Sequence, residues 1–244
     1  MPWRTRPLSP VGIVSALTAE ARHLRRRGVR ADGITQLDDG ALLAVSGMGP
    51  GAAAAAARVL ITRGARALLS FGLAGGLDPA LAAGTVCLPP EVISDGGARI
   101  QTTSRWRAGL LRALTGRCRV SGGTLLTSPV TVDTLAEKAR VFRKTGAASV
   151  DMESLGIGQE AVSHGLPFMV VRVIVDTASD GLPPVISRLA GPGGQVPLPR
   201  LLGALAIHPG DLPAVIRLGN RYRAASRALA AVAGSGSLAP PVAA

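Results

Sequence analysis

The chain has 244 residues, 47% of them hydrophobic, and a mean hydropathy of +0.33, which excludes disorder for its body and allows one large core. Twenty-seven Lys and Arg against 15 Asp and Glu give a net charge of +12 and an isoelectric point near 11.5, a balance that invites nucleic acid or anionic membrane as a partner. Two cysteines, Cys87 and Cys118, without a CxxC pair or a nearby His, exclude a zinc site and a disulfide framework and point to a reducing cytoplasm.

Val11 to Ala16 is an apolar run between Pro10 and Thr18, which predicts a buried first strand and a helix capped at Thr18 that runs to about Arg27. Leu42 to Ser46, the loop Gly47-Met-Gly-Pro-Gly51 and the alanine-rich stretch Ala52 to Thr62 repeat the order strand, loop, helix. Ala67 to Phe71 predicts a third strand leading to Gly72-Leu-Ala-Gly-Gly76, and Thr85 to Leu88 a fourth. Ser104 to Leu114 and Val132 to Lys144 read as helices. Ser149 to Glu153 and Phe168 to Val175 read as strands around a helix of about ten residues. Pro167 to Val175, broken by Arg172, is far short of the about 20 residues that span a bilayer.

Thr177 to Pro199, rich in Pro and Gly, reads as a long loop of the kind that carries function. From Asp211 to about Val232, the positions Val215, Leu218, Tyr222, Ala225, Leu229 and Val232 trace one apolar helical face, with Arg217, Arg221, Arg223 and Arg227 largely off it. Residues 1–10 are expected to be an extension, 11–232 the domain and 233–244 a disordered tail. Alternating strands and helices with short glycine turns argue for an α/β fold around a buried sheet. Ligands of such folds gather at the carboxyl ends of the strands.

The charge excess is diffuse. Only Lys138 and Lys144 are lysines, the arginines are spread along the chain, and six aromatics are too few for stacking platforms. A basic module that binds nucleic acid or lipid without catalysis stays open as an alternative. Gly47 and Gly49, between a strand and a helix, resemble the start of a dinucleotide fingerprint, but the next strand ends in Ser70-Phe71-Gly72 where that site needs an acid. The turn suits either a backbone approach to sugar or phosphate or a purely structural role. His23, His164 and His208 share no metal-binding spacing, and no GxSxG elbow is present. The acids say more. The chain has five glutamates, and Glu153 and Asp176 each stand at the end of a predicted strand, where a carboxylate faces the ligand or caps a helix.

Val11-Gly-Ile-Val-Ser-Ala-Leu-Thr-Ala-Glu20, Ser46-Gly-Met-Gly49, Gly72-Leu-Ala-Gly-Gly76, Val150-Asp-Met-Glu153 and Arg172-Val-Ile-Val-Asp176 resemble, in order and spacing, the nucleoside phosphorylase and nucleosidase superfamily. The general likeness is to methylthioadenosine/S-adenosylhomocysteine nucleosidases, and the C-terminal part, with Leu198 to Leu205 and His208 to Pro213, resembles the hopanoid-associated phosphorylase branch. The resemblance implies a single α/β domain with a mixed central β-sheet flanked by helices. It implies that Asp176 donates a proton to the purine N7, that Glu153 accepts ribose hydroxyls with Met152 packed on the sugar, and that Glu20 orients or activates water. Gly75 and Leu73 then fall on the substrate side, and Gly47 and Gly49 on a phosphate or water loop.

Ser70 stands where phosphorylases place a phosphate-holding arginine, and Leu17-Thr-Ala-Glu20 resembles the nucleosidase form of the first loop. Loss of those charge-assisted contacts favours hydrolysis, with phosphorolysis still open. Leu73 replaces a small polar residue and Thr131 a base-stacking phenylalanine, which suits a larger apolar 5′ substituent. The expected function is release of adenine from a 5′-modified adenosine, adenosylhopane in hopanoid biosynthesis before all, with the methylthioadenosine/S-adenosylhomocysteine reaction as the alternative. No cofactor or metal is expected, only phosphate as a co-substrate of phosphorolysis. The expected partners are a small nucleoside, free or lipid-linked, and a second copy of the chain in a dimer. A cytoplasmic enzyme that touches an anionic membrane through its basic helix and binds no nucleic acid is the overall expectation.

Overall fold

The computed structural model describes residues 10–24, 28–181, 212–236 and 238–241. In chain order it builds β1 (Val11–Ser15), α1 (Thr18–Ala21), a hairpin of β2 (Gly28–Ala31) and β3 (Ile34–Leu37), β4 (Leu42–Val45), α2 (Pro50–Thr62) and the long β5 (Ala67–Gly76). There follow β6 (Val86–Cys87), a second hairpin of β7 (Glu91–Ser94) and β8 (Arg99–Gln101), α3 (Ser104–Leu114), β9 (Val120–Ser121) and β10 (Leu125–Thr127). The last elements are α4 (Leu135–Thr145), β11 (Ser149–Asp151), α5 (Ser154–Ser163), β12 (Phe168–Asp176) and α6 (Leu212–Ala233).

The strands form one mixed sheet in the order β2-β3-β4-β1-β5-β11-β10-β7-β8, with β12 also on β5 and carrying β6 and β9. β5 organises it. Its first residues pair in parallel with β1, its last two with antiparallel β11, and β12 runs parallel to it from Leu68 to Gly75. Strand alternation sends Leu69, Phe71, Met169, Val171 and Val173 to one face, under Trp106 and Leu110 of α3 and Ala225, Leu229 and Val232 of α6. Leu68, Phe168 and Val170 go to the other face, under Ala53, Ala57 and Leu60 of α2 and Ile157 and Ala161 of α5. These two apolar layers hold the sheet between helices.

Several elements differ from the sequence expectation. α1 is a single turn that ends at Ala21 instead of about Arg27, because the chain goes on to build the β2–β3 hairpin against β4. Gly72 to Gly76 is not a turn but the second half of β5, its backbone hydrogen-bonded to β12 and β11. Both hairpins and the short β9 and β10 carry too few residues for a periodic signal. Glu153 lies past the end of its strand, in the cap position of α5. Of the expected tail, residues 233–236 and 238–241 are described, Ala233 closes α6, and Leu238 is buried in the first apolar layer. Residues 182–211, with most of the expected loop and His208 to Asp211, lie outside the described residues, as do residues 1–9.

Candidate active site

The carboxyl ends of β5, β11 and β12 and the loops after β1 and β4 meet around one cation. Arg172, in the middle of β12, is 1% exposed. Its Nη2 lies 2.8 Å from Asp151 Oδ2 and donates to Glu153 Oε2 at 3.3 Å, Ser70 Oγ at 2.9 Å and Ser154 Oγ at 3.4 Å. Nη1 donates to the Leu73 carbonyl at 3.3 Å, while the buried Nε has no acceptor among the described residues. Burial works against the guanidinium charge, but Asp151, Glu153 and Glu20 outweigh it and push its pKa above the ordinary value. The other oxygen of Asp151, Oδ1, accepts Thr127 Oγ1 at 2.7 Å, and Oδ2 also accepts the Ser154 backbone N–H and hydroxyl.

Glu20 reaches this cluster from α1. Its Oε2 accepts the Leu17 N–H at 2.9 Å and its Oε1 the Leu73 N–H at 2.8 Å, so the helix start and β5 are tied by one buried carboxylate. Gly72 makes room for it. A Cβ at that position would stand 2.6 Å from Glu20 Oε1 and against the Arg172 guanidinium. The glycine serves close approach of side chains here, not a turn.

Glu153 completes the cluster. Its Oε1 accepts the N–H of Gly49 at 3.1 Å, and Gly49 is the cap of α2 with φ of 100°. Gly156 of α5 passes against the Pro50 carbonyl with no space for a side chain, so the starts of α2 and α5 are pressed together at this carboxylate. Burial raises the Glu153 pKa, the Arg172 charge and the Gly49 N–H oppose that, and the anionic Asp151 and Glu20 add to it. Gly47, at φ of 81°, donates to the Ala16 carbonyl at 3.0 Å and lays the loop along the end of β1. The Gly49 amide is thus occupied by the protein's own carboxylate.

Asp176 stands apart, at the end of β12, opposite Gly75 across a β-bulge. It lies four positions along the strand from Arg172, roughly 13 Å at about 3.3 Å per residue. Burial raises its pKa, against the pull of the Lys138 ammonium, which forms a short ion pair with Oδ2. Lys138, on α4, is fully buried and also donates to the carbonyls of Thr177 at 2.8 Å and Asp180 at 2.9 Å. The Asp180 carboxylate in turn meets Arg221 of α6 at 2.5 Å.

Of the residues singled out from sequence, Glu20, Glu153, Leu73 and Gly49 converge on Arg172, and Gly75 adjoins Asp176. Met152 is half-buried between Asp151 and Glu153. His23 pairs with Ser226 and His164 closes α5, so neither enters the site. Among the described residues no group of three or more His, Cys, Asp or Glu could hold a metal ion. Arg172, Asp151, Ser154 and Lys138 were not anticipated as site residues. The signal for Arg172 was its charge inside an otherwise apolar strand, since a buried cation requires anionic partners. Such an arrangement can accept hydrogen bonds from hydroxyl groups at the carboxylate cluster and exchange a proton at Asp176.

A family model described as the phosphorylase superfamily matches residues 34–185. Curated 5′-methylthioadenosine/S-adenosylhomocysteine nucleosidases of Mycobacterium bovis and Mycobacterium tuberculosis are each 26% identical over 220 residues, covering 69% of this chain and 86% of theirs. Among solved structures, futalosine hydrolase of Helicobacter pylori aligns with a TM-score of 0.63 at 16% identity, over 70% of this chain and 86% of that one. The methylthioadenosine/S-adenosylhomocysteine nucleosidase of Campylobacter jejuni aligns with a TM-score of 0.63 at 18% identity, over 70% and 87%. At that identity the structural likeness is one of fold.

Proposed function

The chain belongs to the phosphorylase superfamily, and on that premise we propose that it cleaves the N-glycosidic bond of a 5′-modified adenosine by hydrolysis and releases adenine. The observation that carries this is the division of the strand ends into a carboxylate cluster about Arg172 and a separate buried acid, Asp176. Breaking the bond between C1′ and N9 leaves oxocarbenium character on ribose and an electron pair on the base. Glu153 accepts the ribose hydroxyls, Met152 packs beside the sugar, and the negative cluster favours the developing positive charge. Asp176, whose hold on a proton is strengthened by its burial, transfers that proton to N7, and the base leaves neutral. Water, held at Glu20, bonds to C1′ and gives its proton to that carboxylate. Glu20 then releases that proton to solvent and Asp176 takes one up, so the sum is nucleoside plus water to adenine plus free sugar.

Hydrolysis follows from the charge of the cluster. Glu20, Asp151 and Glu153 face a single guanidinium whose Nη atoms already serve protein acceptors, so a phosphate dianion would meet net repulsion. For the 5′ substituent, Val45 at the end of β4, Leu73 in the second half of β5 and Val175 near the end of β12 are half-buried apolar groups packed against the first apolar layer. They support a long hydrocarbon, with adenosylhopane as the first substrate to test, and Ile216, Arg217 and Arg223 on the exposed side of α6 suit contact with the anionic membrane that holds it. The names of the curated relatives favour a second reading, in which the substituent is the thioether of methylthioadenosine or S-adenosylhomocysteine.

Purified protein incubated with each of the three nucleosides, with and without phosphate, is expected to release adenine at a rate independent of phosphate. Asp176→Asn is expected to lower kcat about 100-fold or more with little change in KM, because the proton is transferred only in the transition state. No adenine from any of the three would refute the activity, and release that requires phosphate would refute hydrolysis.

A further inference from the structure

Lys138 is one of two lysines in a chain otherwise charged by arginine, and its side chain is 0% exposed. An ammonium has three N–H donors and no acceptor. Here one goes to Asp176 Oδ2, one to the Thr177 carbonyl and one to the Asp180 carbonyl, so none is left for a substrate. The side chain therefore acts on other residues of the protein. Its pairing with Asp176 is one-sided: Lys138 meets Oδ2, while Gly75 adds no side chain in front of either carboxylate oxygen, each of which a Cβ there would approach to 3.5 Å. A buried lysine is costly unless paired, and this pairing fixes the carboxylate plane, the end of β12 and the turn that follows.

We propose that Lys138 is a positioning residue for the acid: it holds one oxygen of Asp176 so that the other faces the base. This rests on the reading of Asp176 as the proton donor. The charged groups that face Asp176 are Lys138 from α4 and Asp180 from the turn after β12, and Asp180 is itself neutralised by Arg221 of α6. Gly75 and Val150, from β5 and β11, bring no charge. An ammonium at this distance lowers a carboxyl pKa, so removing it raises the pKa, and Asp176 stays protonated to higher pH.

The test is the dependence of kcat/KM on pH for the wild-type, Lys138→Met and Lys138→Arg proteins, with adenine release as the readout. In Lys138→Met the alkaline limb is expected to move up by about one pH unit or more, with kcat reduced more than KM is changed, and Lys138→Arg is expected to bring the limb back. Lys138→Gln, which keeps an N–H for the turn but no charge, replaces the Met variant if that does not fold, with the same shift expected. An alkaline limb that stays at the wild-type position in the charge-free variant overturns the proposal. Asp176→Asn in the same assay separates the two readings. Wild-type turnover in that variant means the acid is misassigned, whereas an inactive Asp176→Asn beside an unmoved Lys138→Met limb means that only the role of Lys138 has failed.

Discussion

Replacing Arg172 by Met removes the one cation around which Glu20, Asp151 and Glu153 are arranged. The Met side chain fills most of the volume, so the loss is electrostatic: Nη2 gives up its contacts with Asp151, Glu153, Ser70 and Ser154, and Nη1 its bond to Leu73. Removing one partner of a buried ion pair costs about 3–5 kcal/mol, about a fifth or more of the about 5–15 kcal/mol that holds a domain together. At about 2–4 °C per kcal/mol for a chain of this size, the melting temperature is expected to fall by about 6–20 °C at pH 8. The loss carries a pH signature. The Glu153 carboxyl, raised by burial and held down by Arg172, rises further in the variant. A carboxyl whose folded pKa exceeds its unfolded value destabilises the fold above that folded pKa, and the penalty fades as pH falls towards the unfolded value. The deficit is therefore largest at pH 8 and shrinks towards pH 5. Urea unfolding of both proteins at the two pH values measures it. A deficit under about 1 kcal/mol, the range of an exposed pair, or one equal at both pH values, would show that Arg172 does not neutralise the cluster.

Gly72→Ala is expected to destabilise the fold by about 1–3 kcal/mol through overpacking and to lower adenine release, because its Cβ separates Glu20 from Arg172. Gly75→Ala, whose Cβ would find its nearest neighbour at 3.3 Å, is expected to be milder in thermal melts, and the reverse order would contradict the described packing. For the membrane contact, co-sedimentation with anionic vesicles is expected to fall about tenfold or more in Arg217→Glu plus Arg223→Glu, at about 1 kcal/mol per basic group. Arg221 is left intact because it pairs with Asp180. Sedimentation unchanged by the two reversals rules out that surface.

The strand, loop and helix order of most of the chain was legible because Phe168 to Val175 is a continuous apolar run and Ala52 to Thr62 has the helix propensity of alanine. Two- to four-residue strands show no such signal, and α1 is shortened by sheet pairing that no local pattern contains. In the site, Glu153 and Asp176 were legible as carboxylates at strand ends, and their neighbours were not. Arg172 read as an interruption of an apolar run and Lys138 as one of two lysines in a predicted helix, although each is buried. A rule that asks which anion must accompany a cation inside an apolar strand would have found the first. The second required knowing that α4 lies over the end of β12, which is a matter of tertiary packing alone. The diffuse excess of arginine has nothing to do with this centre, where carboxylates outnumber the cations.

The contacts that hold the site also bear on when it exists. Glu20 and Leu73 are 53 residues apart, Arg172 and Leu73 99, Gly49 and Glu153 104, and Lys138 and Asp176 38. Closing loops of that span precedes any gain from the contacts themselves, which makes the arrangement slow to form and late in folding. An N-terminal fragment ending before β12 contains Glu20 and Glu153 but neither Arg172 nor Asp176, so neither ion-paired group of the site is complete in it. During refolding, turnover should return only with the completed sheet, so recovered activity reports the folded state of the whole described core.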